Sequence, residues 1–297
     1  MGKVTVPSVR ARKVRAGAEP IVMVTAYDAP GARIAEEAGV DVILVGDSVA
    51  MVVLGHDSTL EVSVDEMVHH TAAVARAGTR CLVVADMPWL SYHLSVEDTV
   101  RNAAALIRAG AGAVKLEGGA KRVPMVSAIV DAEIPVMGHL GLTPQSVHAM
   151  GGFKVQGREQ GAAEVLVEHA LALQDAGCFS LVLEGIPSEV GRVVTAAVDI
   201  PTIGIGAGPA CDGQVLVFHD VLGIEDRITP RFVRRYANLK ADAVAAMAAW
   251  ADDVRTGGFP AERESYHLPA GVDADHYPED PGATIGLYGA AGDSRTA

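Results

Sequence analysis

Four acidic residues stand where four apolar runs end, and each run follows an Ala-Gly pair that closes a helix-like stretch. They are Asp47, Asp86, Glu117 and Glu184. Gly suits the left-handed position just after a helix, and a short apolar run after such a stop is typical of a strand buried on both faces. In a barrel of β/α units, the carboxyl ends of the strands form the rim where active sites are built. The pattern therefore predicts four carboxylates at a catalytic rim.

Three of these acids, Asp47, Asp86 and Glu117, end successive predicted strands, so their carboxylates can converge in one coordination sphere. Carboxylates that close raise one another's pKa by repulsion unless a cation neutralises them. Oxygen ligands without His or Cys favour Mg²⁺ or a similar hard cation. The alternative is that each acid only caps the helix after it. That reading is adequate for one acid, whereas three on successive strands favour the metal.

Lys115 and Glu117 are two residues apart on one predicted strand, so their side chains leave the same face. A lysine that points into a barrel is costly unless it meets an anion. Together with Ser48, next to Asp47, Lys115 is predicted to hold a substrate carboxylate beside the metal. A purely structural ion pair between Lys115 and Glu117 is the alternative.

Glu184 ends the sixth predicted strand, across the barrel from the second and third. A carboxylate in a closed, partly apolar pocket suits a general base that works near neutral pH. A cap for the helix that follows Pro187 is an almost equal alternative. His139, at the end of the fifth predicted strand, is a candidate contact to substrate or to a developing oxyanion. A lone His is, however, more often a structural hydrogen-bonding residue.

The elements that must position these groups follow from the rest of the pattern. Four further segments look like strands, at residues 21–27, 135–141, 201–208 and 215–223. Eight apolar runs separated by amphipathic stretches predict an α/β fold, a (β/α)8 TIM barrel. Residues 63–66 and 95–98 resemble capping boxes, and Thr143 precedes a proline that suits a first helical turn.

Some connections and the C-terminal part carry further signals. The long connections after Asp47 and after His139 are predicted to be lids or binding loops on the rim. The glycines at 204, 206 and 208 suit either phosphate binding or close packing. A terminal helix or helix pair is predicted from residue 230 to residue 250. We predict one catalytic domain over residues 1–267, which includes an N-terminal arm and the C-terminal helices, and a disordered tail over residues 268–297.

Composition limits the classes of partner. The chain has 297 residues and a formal net charge of −13, which argues against nucleic-acid binding and against an anionic membrane surface. Small-molecule ligands and protein neighbours are favoured instead. The three cysteines form no spaced Cys/His cluster, so a reducing cytoplasm is expected. The basic first twenty residues lack an apolar core and are predicted to be a solvated arm rather than a signal peptide.

Several long stretches are similar to the ketopantoate hydroxymethyltransferases, a family of pantothenate and coenzyme A biosynthesis. The likeness extends over nearly all of residues 10–267. The matching stretches are TAYD at 25–28, VGDS at 45–48, GHDSTLEVSVDEM at 55–67, VKLEGG at 114–119, GHLGLTPQS at 138–146, GGFKVQGR at 151–158, GIGAG at 204–208, DGQVLVFHDVLG at 212–223 and FPAERESYH at 259–267.

The resemblance implies a barrel of the phosphoenolpyruvate/pyruvate type, assembled as a homo-oligomer that is commonly a decamer. It implies transfer of a hydroxymethyl group from 5,10-methylenetetrahydrofolate to 3-methyl-2-oxobutanoate through a Mg-stabilised enolate, which gives 2-dehydropantoate (ketopantoate). The implied site is the one that the residues themselves indicate. Mg²⁺ is bound by Asp47 and Asp86, with Glu117 in the sphere or one water away. Substrate is held by Ser48, Asp86 and Lys115, and the base is Glu184.

Two other functions fit the same residues. The first is a Mg-dependent lyase or mutase of the isocitrate lyase type that acts on a 2-oxo acid. Those enzymes share a Lys-Lys-Cys-Gly-His kind of loop, which this sequence lacks. The second is a non-catalytic barrel that serves as an assembly scaffold or metabolite binder, for which replacement of Glu184 would have no effect.

Overall fold

The computed structural model describes residues 2–14, 17–159, 161–227 and 230–271. Eight strands of these residues close into a barrel in which every neighbouring pair is parallel, in chain order around the ring. The strands are β1 (Ile21–Thr25), β2 (Val42–Val45), β3 (Leu82–Asp86), β4 (Ala113–Glu117), β5 (Val136–Gly141), β6 (Ser180–Glu184), β7 (Thr202–Ile205) and β8 (Gly213–Leu216). The predicted (β/α)8 fold is confirmed.

Helices follow most strands and cover the outside of the barrel. The α-helices of the described residues are α1 (Val6–Arg10), α2 (Ala29–Glu37), α3 (Val49–Val52), α4 (Val64–Ala75), α5 (Val96–Arg108), α6 (Val123–Asp131), α7 (Val147–Met150), α8 (Ala162–Asp175), α9 (Ser188–Ala197), α10 (Phe218–Leu222) and α11 (Leu239–Thr256). Short 3₁₀ turns lie in three rim connections, at Thr59–Glu61, Ala120–Arg122 and Pro144–Ser146.

One strand prediction was wrong in its bounds. Residues 215–223 were expected to form a strand, but β8 ends at Leu216 and residues 218–222 form α10. The connection from Ile205 to Gly213 contains no helix, so β7 and β8 are joined by a loop alone. In that loop a Cβ on Gly208 would lie 2.4 Å from the Cβ of Ser188. Packing therefore accounts for this glycine without a bound phosphate.

The helix-start predictions have mixed outcomes. Ser63 and Glu66 form a complete capping box at the start of α4. Ser95 accepts a hydrogen bond from the backbone N–H of Asp98, but the reciprocal bond is absent, so only half of the second box forms. Thr143 makes no side-chain cap for the 3₁₀ turn that begins at Pro144.

The barrel interior is apolar over most of its depth. A buried cluster inside the barrel is built mainly from Val, Ile, Leu and Met, and it includes Val9 of α1. The members are Val9, Ile21, Met23, Val42, Leu44, Leu82, Val84, Ala113, Met137, Phe179, Val182, Ile203 and Val215. A second cluster fills the space between the strands and the covering helices. Both layers are mainly aliphatic, and they pack against the strands from inside and outside the barrel.

The chain divides into two compact units, residues 1–240 and residues 241–297. The first contains all eight strands. The described part of the second consists mainly of the rest of α11, in which Trp250 packs edge to face with Phe259. The predicted terminal helix over residues 230–250 was wrong in its bounds, because helix begins only at Leu239. From residue 272 the predicted tail lies outside the described residues. In the described part of the chain no helix is long and apolar enough to cross a membrane.

The basic N-terminal arm was predicted to be solvated, but Lys13 is buried in an ion pair that joins the arm to the barrel. The Lys13 ammonium lies 2.8 Å from Asp212 Oδ2 and also donates to the backbone carbonyl oxygens of Thr195 and Ile200. Asp212 Oδ1 accepts the backbone N–H of Val14. This arrangement joins the arm to the β7–β8 connection and to the segment before β7.

Replacing Lys13 with Met is expected to lower the free energy of unfolding by about 3–5 kcal/mol, because the Asp212 charge would remain buried without its cation. Urea unfolding followed by circular dichroism measures the loss. Lys3→Met at an exposed position is the matched control, with an expected change within about 0.5 kcal/mol. Equal stability of the two variants would contradict the assigned role of the pair.

Candidate active site

The ionisable side chains at the carboxyl ends of β2 to β5 are buried. Asp47, Asp86, Lys115, Glu117 and His139 are each at most 5% exposed. Asp86, Lys115 and Glu117 belong to their strands, Asp47 follows β2 directly after Gly46, and His139 lies within β5. The structure brings Asp47, Asp86 and Glu117 to one rim, where Asp47 and Asp86 share a hydrogen bond and Glu117 is linked to them through Lys115.

The first contacts join the ends of β2, β3 and β4. Asp86 Oδ2 accepts a hydrogen bond from the backbone N–H of Asp47 at 3.0 Å. Lys115 Nζ lies 2.9 Å from Asp86 Oδ1 and 3.9 Å from Glu117 Oε1. The lysine therefore meets anions, as its position inside the barrel requires. It pairs more closely with Asp86 than with Glu117, its partner in the purely structural alternative.

The electrostatics of the cluster follow from burial and from repulsion between the acids. Burial raises the pKa of Asp47 well above its usual value, and the charges of Asp86 and Glu117 raise it further. Burial also raises the pKa of Asp86, although Lys115 opposes this. The three surrounding carboxylates outweigh burial at Lys115 and raise the pKa of its ammonium. The lysine therefore stays charged. Its single positive charge is too small to neutralise three carboxylates.

His139 connects the acidic cluster to Glu184. Its Nδ1 lies 3.3 Å from Glu117 Oε1, and its Nε2 lies 3.3 Å from Glu184 Oε2. Burial and the Lys115 ammonium act to lower the pKa of His139, but Glu117 and Glu184 outweigh them and raise it to about 9. Burial alone would raise the pKa of Glu117, but His139 and Lys115 more than offset this and lower it. His139 thus lies between two carboxylates, and Lys115 Nζ is also 3.3 Å from its Nδ1.

Ser48 lies at the edge of the cluster, where its Oγ is 2.8 Å from the hydroxyl oxygen of Tyr27. Tyr27 follows β1, and its carbonyl oxygen lies 2.8 Å from Nδ1 of His70 on α4. Burial raises the pKa of Tyr27, so the phenol stays protonated. No role was predicted for Tyr27, although it is the last residue of the strand predicted at 21–27 and lies in the TAYD stretch.

Two further residues of the cluster were missed. Gln145, in the 3₁₀ turn after β5, donates from Nε2 to Asp47 Oδ2 at 2.8 Å and from its backbone N–H to Glu117 Oε2 at 3.1 Å. The Tyr92 hydroxyl donates to Gln145 Oε1 at 2.5 Å. Gln145 belongs to the GHLGLTPQS stretch on a rim loop, which was the available signal. Tyr92 had no comparable signal.

The alternative that the strand-end acids are helix caps is wrong. The helix after Asp47 begins at Val49, and its N-cap residue is Ser48, which makes no side-chain cap; α5 is capped by Ser95 rather than by Asp86. Gly119 precedes the 3₁₀ turn after β4, and Pro187 precedes α9. None of the four acids therefore caps a helix. Their carboxylates are available to interact with one another, with Lys115 and His139, and with a ligand.

The donor set suits a hard divalent cation. Asp86 Oδ1 is buried and receives no hydrogen bond of good geometry, its contact with Lys115 being an ion pair. Three carboxylates with oxygen donors alone match the preference of Mg²⁺. In the described ranges (2–14, 17–159, 161–227 and 230–271), no three His, Cys, Asp or Glu side chains are already arranged around a metal position. The predicted ligands therefore lie close together without surrounding a common metal position, and the Lys115 ammonium lies between them.

Fold and site together define a class of protein: a parallel (β/α)8 barrel enzyme whose rim carries buried carboxylates, a lysine and a histidine. The fold recurs in the crystal structure of 2,3-dimethylmalate lyase, described as a phosphoenolpyruvate mutase/isocitrate lyase superfamily member. The TM-score is 0.57 at 20% sequence identity, over 94% of this chain and 93% of that one. This likeness is one of fold.

The family follows from sequence comparison. The family model described as ketopantoate hydroxymethyltransferase matches residues 3–262. A 3-methyl-2-oxobutanoate hydroxymethyltransferase from Moorella thermoacetica is 57% identical over 265 residues, which cover 89% of this chain and 98% of that protein. The enzyme of the same name from Methylobacterium sp. is 59% identical over 270 residues, 91% of this chain and 93% of its own length. The chain belongs to the ketopantoate hydroxymethyltransferase family.

Proposed function

We propose that this protein transfers a hydroxymethyl group from 5,10-methylenetetrahydrofolate to 3-methyl-2-oxobutanoate and so forms 2-dehydropantoate. The observation that carries the proposal is the convergence of Asp47, Asp86, Glu117 and Lys115, with His139 linking them to Glu184. Family membership supports the choice of substrates. The lyase or mutase alternative is supported by likeness of fold alone.

The acidic cluster would hold Mg²⁺ through Asp47 and Asp86, with Glu117 as a ligand or one water away. When bound, the cation supplies a Lewis acid that withdraws electrons from the 2-oxo group and makes the neighbouring carbon more acidic. Lys115 would pair with the substrate carboxylate, and Ser48, held by Tyr27, would donate a hydrogen bond to it. Asp86 would orient the lysine through their 2.9 Å ion pair.

Glu184 would act as the base that removes the proton from C3 of the substrate. His139 would orient the Glu184 carboxylate, since Nε2 of His139 lies 3.3 Å from Glu184 Oε2. The enolate carbon would form a bond to the one-carbon unit, and both bonds between that carbon and the folate nitrogens would break. One water would supply the hydroxyl group of the transferred carbon, while its other proton and the proton taken from C3 would end on the two folate nitrogens, so that tetrahydrofolate is released.

The wild-type protein is expected to exchange the C3 proton of 3-methyl-2-oxobutanoate for deuterium in D₂O without any folate. In the proton NMR spectrum, the methyl doublet of the substrate would collapse as its coupling to C3–H is lost. EDTA is expected to stop the exchange and excess Mg²⁺ to restore it. If no exchange occurred with Mg²⁺ present, the enolate mechanism would have to be abandoned.

Assembly and location belong to the same proposal. Family resemblance supports a homo-oligomer, with a decamer as the expected form, and the absence of a Cys framework supports a cytoplasmic location. Light scattering coupled to size-exclusion chromatography measures the subunit count directly.

A further inference from the structure

The side chain of Gln145 is the point at which three rim connections meet. It is 6% exposed and lies in the 3₁₀ turn after β5. Besides its bond to Asp47 Oδ2, Nε2 donates to the carbonyl oxygen of Met87, which follows β3, at 3.0 Å. Both N–H groups of the amide are thus used, and Oε1 accepts the hydroxyl of Tyr92. The amide has no free donor, so its orientation is determined by its surroundings.

The direction of this hydrogen-bond chain is fixed by groups that can act in only one way. The backbone N–H of Glu117 donates to the Tyr92 oxygen at 3.2 Å, so the tyrosine proton goes to Gln145 Oε1. The Met87 carbonyl can only accept, so Nε2 must face it and, with its second proton, Asp47. The amide assignment therefore follows from the network rather than from an arbitrary choice between O and N.

Gln145 touches two of the three predicted metal ligands through different atoms. Its side chain holds the carboxylate of Asp47 beyond β2, and its backbone N–H holds the carboxylate of Glu117 on β4. A neutral amide suits this position because it donates hydrogen bonds without adding a cation that would compete with a metal. Gln145 contacts only one oxygen of each carboxylate, so it does not occupy Asp47 Oδ1 or Glu117 Oε1.

We propose that Gln145, held by Tyr92, is a positioning residue that fixes the Asp47 and Glu117 carboxylates for binding a divalent cation. This inference rests on the proposed function, since it takes these acids as the metal site. Partners that orient metal ligands by hydrogen bonding typically change metal affinity by about 10–100-fold when they are removed.

The test is the affinity for Mg²⁺, measured by isothermal titration calorimetry in the presence of 3-methyl-2-oxobutanoate. Gln145→Leu is expected to weaken Mg²⁺ binding by about 10–100-fold. Excess Mg²⁺ is expected to restore much of the C3 exchange, because the ligands themselves are intact. The matched control is Gln174→Leu on α8, whose Oε1 accepts the backbone N–H groups of Asp199 and Ile200 away from the cluster. It is expected to lower stability but to leave Mg²⁺ affinity unchanged.

A second variant tests the same role if Gln145→Leu does not fold. Tyr92→Phe keeps the ring, which packs beneath the Arg122 guanidinium, and removes only the hydroxyl that holds Gln145. It is expected to weaken Mg²⁺ binding by about tenfold, at the lower end of the range. Wild-type affinity in a folded Gln145→Leu protein, or in Tyr92→Phe if the first variant does not fold, would overturn the positioning role alone. Failure of the wild-type protein to bind Mg²⁺ would overturn the proposed function as well.

Discussion

Replacement of Glu184 with Gln is expected to slow deuterium exchange at C3 of 3-methyl-2-oxobutanoate by about 100- to 10,000-fold, the range by which a positioned general base accelerates a reaction. Gln has nearly the same shape but cannot take a proton. Its amide could still contact His139, which lies 3.3 Å from the native carboxylate. The affinity for Mg²⁺ should change little, because Glu184 is not among the predicted ligands. Exchange is measured by NMR at saturating substrate and Mg²⁺.

The control for this variant is Glu189→Gln, which removes one negative charge from an exposed position on α9 five residues further on. It is expected to exchange at the wild-type rate. If Glu184→Gln retained more than about a tenth of that rate, another group would have to be the base. A non-catalytic barrel predicts no exchange in any of these proteins.

Asp86→Asn is expected to reduce Mg²⁺-dependent turnover by more than about 100-fold, because a Lewis acid contributes several kcal/mol to stabilising developing charge and each 1.4 kcal/mol is about tenfold. Asn is similar in size and can still accept the backbone N–H of Asp47. It removes the negative charge that faces Lys115, however, so the lysine also loses its nearest anion. Product formation with varied Mg²⁺ separates weaker metal binding from slower chemistry.

Asp131→Asn provides the matched change at an exposed site, since Asp131 is the last residue of α6. It should leave turnover and Mg²⁺ dependence as in the wild type. Circular dichroism and urea unfolding of both variants establish that the barrel is intact. An Asp86→Asn protein with normal turnover and normal Mg²⁺ dependence would remove Asp86 from the metal site.

The strand-end acids were predictable because their signal is local. Each buried strand is a short apolar run that ends at a carboxylate, and parallel strands bring those ends to one edge. The same local reasoning failed at β8, where the apolar run continues through Phe218 and Val221 into a helix. Periodicity alone separates strand from helix poorly in so short a segment.

Other parts of the site depend on contacts that no local pattern contains. Gln145 is 98 residues from Asp47 in sequence and 53 from Tyr92, and the chemistry of an amide gives no indication of its partner. The exact partner of Lys115 was likewise beyond the sequence. Spacing on one strand offered Glu117 as the partner in the structural alternative, whereas the geometry of adjacent strands brings Asp86 on β3 closer.

Access to solvent differs among the side chains of the rim. The Glu184 side chain is 16% exposed, whereas those of His139 and Glu117 are 3% exposed. A base without access to water would return the same proton to the carbon, and no deuterium would be incorporated. With Glu184 as the proposed base, this exposure would let the captured proton exchange with bulk water before it is returned, so deuterium would enter the 2-oxo acid even without the folate one-carbon donor.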